Sequence, residues 1–203
     1  MTNARLRTVN KFLFAAIIVI NAYILLAPLF PSLAFWVQTK NPDKKQTLSQ
    51  IIEQGGTTDG GSQETGDENR LIAPDMLLNT PVIEGPVSKS EALLRDGAWR
   101  LPYTSTPDKG GNTVIVGHRF SYTGPRGIFY YLDKLKPGSE IGLQWEGKMY
   151  RYKVESSRTV PDTAIQVEAP TKDARLTLYT CTPLWNPVNR LVVVAKPITE
   201  TPT

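Results

Sequence analysis

Residues 141–155 read IGLQWEGKMYRYKVE, and the alternation in them spells out a β-hairpin. Ile141, Leu143 and Trp145 alternate with Gly142 and Gln144, Glu146-Gly147 turns the chain, and Tyr150, Tyr152 and Val154 alternate with Arg151, Lys153 and Glu155. Apolar residues at period two on both sides of a two-residue turn predict antiparallel strands with one buried face. The sequence on either side keeps this punctuation. Thr113 to Gly117 (TVIVG) is a buried strand signal between Gly110-Gly111-Asn112 and His118, and Leu176 to Cys181 and Arg190 to Lys196 predict the last two strands. Arg70 to Ala73 and Thr80 to Glu84 are further strand candidates, and Ser90 to Arg95 predicts a short helix. Short apolar runs broken by Pro and Gly predict an all-β domain, a barrel or a sandwich, with short helices.

The 203 residues are not all available to that domain. The 28 residues from Phe12 to Thr39 carry no charge, and Gly55 to Asn69 contains no core-forming side chain. From Arg70 onward roughly 130 residues remain, enough for one compact domain. About 20 apolar residues cross a bilayer core, so the uncharged run is long enough to span one. Arg5, Arg7 and Lys11 precede it, which puts the N-terminus in the cytoplasm and the rest outside. The organisation expected is a basic tail at 1–11, a transmembrane anchor at 12–37, a flexible polar linker at 38–69 and the β domain at 70–203. A cleaved signal peptide is the rival reading, because Ser32-Leu33-Ala34 has the small-x-small form of a cleavage site. Either way the domain is exported.

The net charge of +4 is spread as +3, −2 and +3 over residues 1–11, 40–70 and 71–203. With no basic run interleaved with aromatics, nucleic acid is not an expected partner. One cysteine excludes an intramolecular disulfide, and one His with one Cys is too few soft ligands for a structural metal. No cofactor is expected.

His118 and Cys181 each end a predicted strand, and side chains at strand ends of a small barrel meet at its rim. An imidazole beside a thiol is the usual way to make cysteine a nucleophile near neutral pH. Arg190 opens the strand after Cys181, beyond an eight-residue loop, and antiparallel pairing would return it to the thiol. A guanidinium there would hold a peptide carbonyl or the oxyanion formed when a thiolate attacks it.

At these residues the sequence resembles the sortases. Thr177-Leu178-Tyr179-Thr180-Cys181, with Arg190 nine positions on, is similar to their TLxTC and Arg signature, and Gly111 to Arg119 is similar to their histidine motif, continued by Phe129 to Pro137. The resemblance spans roughly Arg70 to Pro197, behind an anchor and a tether. It implies an eight-stranded β-barrel transpeptidase acting on surface proteins with a C-terminal Leu-Pro-x-Thr-Gly-like or Leu-Ala-x-Thr-Gly-like sorting signal. By that resemblance Cys181 attacks the threonine carbonyl, Arg190 stabilises the oxyanion, His118 protonates the leaving amine and Thr180 supports substrate binding. An amine acceptor, a cell-wall precursor or a pilin lysine, then resolves the thioester. Calcium activation, known in some sortases, has no EF-hand-like spacing behind it here. The run around His118 looks most like class E, with class D next, although Thr182-Pro183 stands where His-Pro is more usual. Two other readings share the residues: a membrane-tethered cysteine peptidase, and a non-catalytic surface binding module in which Cys181 only packs.

Overall fold

A computed structural model describes residues 3–26, 35–37, 39, 42–55, 68–120, 127–184 and 186–198. The chain divides into two units, Met1–Pro42 and Asp43–Thr203. In the first, helix α1 (Asn3–Leu26) contains a stretch, Arg7–Ile24, long and apolar enough by length and composition to cross a membrane. Its interrupting amide is satisfied internally, since Asn21 Nδ2 donates to the Ile17 carbonyl at 2.8 Å. The helix takes in Arg5, Arg7 and Lys11, because Arg and Lys are good helix formers and nothing separates tail from anchor. Pro28, Pro31 and Ser32-Leu33-Ala34 lie outside the described residues.

The second unit begins with a correction. Residues 38–69, expected to be polar linker, contain helix α2 (Pro42–Glu53), and α2 is packed. Leu48, Ile51 and Ile52 recur at helical spacing and close on Ile72 and Met149 of the barrel wall. Lys45 Nζ lies 2.5 Å from Asp75, whose carboxylate also accepts from Ser139 Oγ at 2.5 Å. Burial would raise the Asp75 pKa, but these two donors outweigh it and hold the carboxyl below its usual value. Most of the tether, residues 56–67, lies outside the described residues.

Eight strands form a closed barrel: β1 (Arg70–Ala73), β2 (Leu78–Ile83), β3 (Ala98–Arg100), β4 (Asn112–Val116), β5 (Glu140–Trp145), β6 (Lys148–Pro161), β7 (Arg175–Thr182) and β8 (Asn189–Pro197). Around the wall the order is β1-β2-β3-β4-β7-β8-β6-β5, with β5 returning to β1. Two pairs are parallel, β2 with β3 and β4 with β7. The expected hairpin is β5–β6, paired from Glu140 opposite Lys153 to Trp145 opposite Lys148. Positive φ at both Glu146 (47°) and Gly147 (75°) gives the turn the twist that suits adjoining strands.

Strand β3 escapes sequence reading because Ala-Trp-Arg is too short for a period. All three of its residues are buried. The Arg100 guanidinium is held by Glu84 and by the carbonyls of Leu101 and Thr104, with its cation 5.5 Å from the Trp145 ring. Inside the barrel, Leu71, Ile115, Phe129, Leu132, Ile141, Leu143, Leu176, Leu178 and Val193 are fully buried. A further cluster is formed by Trp99, Leu101 and Val114, against which pack Leu93 and Leu94 of the short helix α3 (Ser90–Asp96) together with Val116 and Tyr179.

Candidate active site

The site grows from the β4–β7 ladder. Its parallel register sets Asn112 opposite Arg175 and Val116 opposite Tyr179. Strand alternation then sorts β7: Leu176, Leu178 and Thr180 point into the core, while Tyr179 and Cys181 lie on the outer face, partly exposed. Two steps beyond the last ladder pair on each chain come His118 and Cys181. Both line one cleft of about 260 Å³, together with Arg119, Phe120, Pro183, Leu184 and Pro187.

His118 lies two residues past the end of β4 rather than at it. It is held by its backbone: the His118 carbonyl accepts from Phe129 N at 2.9 Å, and the Arg119 carbonyl from Gly127 N at 3.1 Å. Gly127 passes so close that a Cβ there would sit 2.0 Å from the His118 oxygen, so only glycine allows the approach.

Arg190 stands directly opposite Cys181 across the antiparallel β7–β8 pair. It is half-buried, its Nη1 donating to the Asn189 carbonyl at 3.3 Å, and it is not among the residues lining the cleft. Thr180, which the resemblance implies supports substrate binding, adjoins Cys181 in β7 but is buried. It is 1% exposed, and its hydroxyl donates to the Gly117 carbonyl at 2.7 Å. The same alternation that exposes Cys181 turns Thr180 inward.

Behind the rim is a clasp that sequence reading missed. The Glu168 carboxylate, in the β6–β7 loop, accepts from Tyr103 and from Tyr179, each at 2.6 Å. Burial and the bond to Glu168 push the Tyr103 phenol up to about 12. The same causes, burial first, raise Tyr179 further, against a small opposing effect of Arg190. Asn112 completes the clasp: its Nδ2 donates at 3.0 Å to the Val167 and Ala169 carbonyls, and its Oδ1 accepts from Thr177 at 2.7 Å. In sequence Asn112 looked only like the end of a Gly-Gly turn, and no local pattern joins Tyr103, Glu168 and Tyr179. Among the described residues, no group of three His, Cys, Asp or Glu is placed to hold a metal ion.

The arrangement offers a thiol, an imidazole and a guanidinium about one rim, the set that acyl transfer uses. Residues 71–198 match the family model for the sortase domain. The chain is 30% identical over 161 residues to sortase SrtE1 of Streptomyces coelicolor, covering 72% of this chain and 45% of that protein. It is 33% identical over 126 residues to sortase A of Listeria monocytogenes, covering 62% and 54%. Thus it spans about half the length of the curated relatives it matches. The solved structure of a Clostridium perfringens sortase D5 transpeptidase superposes with a TM-score of 0.57 at 23% identity, covering 78% of this chain and 88% of that one. A closed eight-stranded barrel, a His/Cys cleft at the ends of β4 and β7, and a family match over most of its length establish that the chain belongs to the sortase family.

Proposed function

We propose that this protein is a membrane-anchored cysteine transpeptidase, with its N-terminus in the cytoplasm and its barrel outside, that cleaves a sorting signal between Thr and Gly. The observation that carries the reading is the cleft that His118 and Cys181 line together, with Arg190 paired opposite the cysteine.

The Cys181 thiolate attacks the threonine carbonyl, and the electrons displaced onto oxygen are met by the Arg190 guanidinium. Collapse of that intermediate forms the thioester and breaks the Thr–Gly bond, and the departing amine takes its proton from His118. An amine on a cell-wall precursor or a pilin lysine then attacks the thioester and gives a proton back to His118. A new amide forms and the thiolate is released. Membership of the sortase family favours transfer to an amine over the hydrolysis of a cysteine peptidase. The partly exposed Cys181, in a cleft rather than a core, argues against a module in which it only packs. Similarity to the Streptomyces coelicolor relative supports the class E reading.

The test is mass spectrometry of the protein incubated with Leu-Pro-x-Thr-Gly and Leu-Ala-x-Thr-Gly peptides and triglycine, beside Cys181→Ala. Cleavage after Thr with transfer to triglycine is expected, and Cys181→Ala yields no acyl-enzyme. Cleavage to the free acid alone would replace the reading with a peptidase.

A further inference from the structure

The two strands that carry the cleft part company just before it. The β4–β7 ladder ends at Val116 opposite Tyr179, although β7 continues to Thr182. Gly117 keeps two bonds to β7, from its N to the Tyr179 carbonyl at 3.4 Å and from the Thr180 hydroxyl to its O. Beyond it, the backbone of His118 and Arg119 is fastened to Gly127 and Phe129, not to the strand of Cys181. The separation of imidazole and thiol is therefore not set by sheet hydrogen bonding.

Among the described residues, one side chain crosses the gap. Arg119 Nη1 donates to Thr182 Oγ1 at 2.6 Å, joining the residue after the histidine to the residue after the cysteine. Arg119 Nη2 lies 3.4 Å from Asp133 Oδ1, which steadies the other arm of the fork. The side chain is only 15% exposed, and its Nε is buried without an acceptor among the described residues. A buried donor left unpaired is unfavourable, so a chain under no other demand would do better with an apolar residue or a solvated ion pair. The guanidinium also lines the cleft beside His118 and Cys181.

We propose that Arg119 is a positioning residue, a strut from the His118 segment to Thr182 that holds the imidazole at working distance from the Cys181 thiol. This rests on the reading that His118 and Cys181 act as a pair. Proton transfer needs heavy atoms within about 2.6 to 3.2 Å, and a misplacement of about 1 Å costs on the order of a hundredfold. Lysine cannot replace the strut in full, because one ammonium on a flexible stem does not span Thr182 and Asp133 as a planar fork does.

The experiment uses the full chain in detergent, as wild type, Arg119→Ala, Arg119→Lys, Thr182→Val and the Arg119→Ala/Thr182→Val double variant. Two rates are read: alkylation of Cys181 by iodoacetamide at pH 7, which needs no peptide and has no background because Cys181 is the only cysteine, and kcat with KM for peptide transfer to triglycine. Arg119→Ala is expected to lower kcat about 30-fold to 100-fold with KM within about twofold, as loss of alignment does, and to slow alkylation several-fold. Thr182→Val, nearly isosteric and not a threat to folding, is expected to lower both rates about tenfold, with Arg119→Lys intermediate between wild type and Arg119→Ala. The double variant should be no worse than Arg119→Ala, because one interaction cannot be lost twice. Unchanged alkylation in Arg119→Ala, additive losses, or a rise in KM alone would overturn the strut. If the wild type transfers no peptide, the transpeptidase reading fails by itself, and the alkylation series still decides the role of Arg119.

Discussion

The two ends of the β4–β7 pair are built in opposite ways. At its start, backbone pairing is reinforced by the buried Asn112 carboxamide, with two bonds to the β6–β7 loop and one from Thr177. At its finish the ladder stops at Val116, and beyond Gly117 the His118 segment is joined to the Cys181 strand through the Arg119–Thr182 hydrogen bond. Between these two strands the bonding is densest where no chemistry is proposed, and fewer bonds join them at the rim. A transpeptidase must admit first a peptide and then an amine, and a rim locked like the ladder's start would not open for both.

The sharpest way to test that division is at the rim itself. Cys181→Ala should abolish acyl transfer while moving Tm by no more than about 2 °C, since a small, partly exposed side chain is shortened. Arg190→Lys should lower kcat/KM by about a hundredfold or more, because an ammonium cannot reproduce the planar fork. Near-normal turnover of that variant would remove Arg190 from the mechanism.

At the ladder's start the pattern should reverse. Asn112→Ala leaves the Val167 and Ala169 carbonyls and the Thr177 hydroxyl without partners, an expected loss of about 2 to 4 kcal/mol on denaturant unfolding. Turnover should fall only as far as the β6–β7 loop loosens. A neutral Asn112 variant would erase the contrast between the two ends.

The clasp makes a pH prediction. The phenols of Tyr103 and Tyr179 are raised in the folded state, so their contribution is fully present below the unfolded value near 10 and is lost as pH rises through the folded values, about 12 for Tyr103. Thermal melts should show stability declining from pH 10 upward, and Tyr179→Phe should flatten that decline. An equally steep decline in the variant would remove the clasp as its cause. The smallest effect belongs to the Lys45–Asp75 pair that fastens α2. Asp75 is lowered, so its contribution is present above about pH 4 and is lost as pH falls through the folded value. Partial exposure limits Asp75→Asn to about 0.5 kcal/mol, read as a Tm difference at pH 7 that narrows as pH falls through the lowered folded value.

Much of this architecture is legible locally. The 141–155 hairpin follows from a periodicity of two, the strands around 113–117, 176–181 and 190–196 from short apolar runs bounded by turns, and the helix near the N-terminus from the length of its uncharged apolar run. The placing of Arg190 opposite Cys181 also follows from local pattern, since a short loop between two antiparallel strands, residues 183–188 in the structure, returns the chain to the same rung. Strand β3 and helix α2 escaped because three residues are too few for a period, and because the apolar stripe of α2 is narrow and set among Lys, Gln and Ser.

What the amino-acid sequence alone determined is therefore the set of elements and the identity of the reactive groups, because these depend on neighbours one to four positions apart. The tertiary structure decided the rest: that Thr180 turns inward to Gly117, that Asn112, Glu168 and two tyrosines form a clasp, and that Arg119 reaches Thr182 across 63 positions of sequence. Such contacts depend on which strands lie side by side and in what register. Closure of the barrel sets that arrangement through the burial of its core as a whole, and no single segment encodes it.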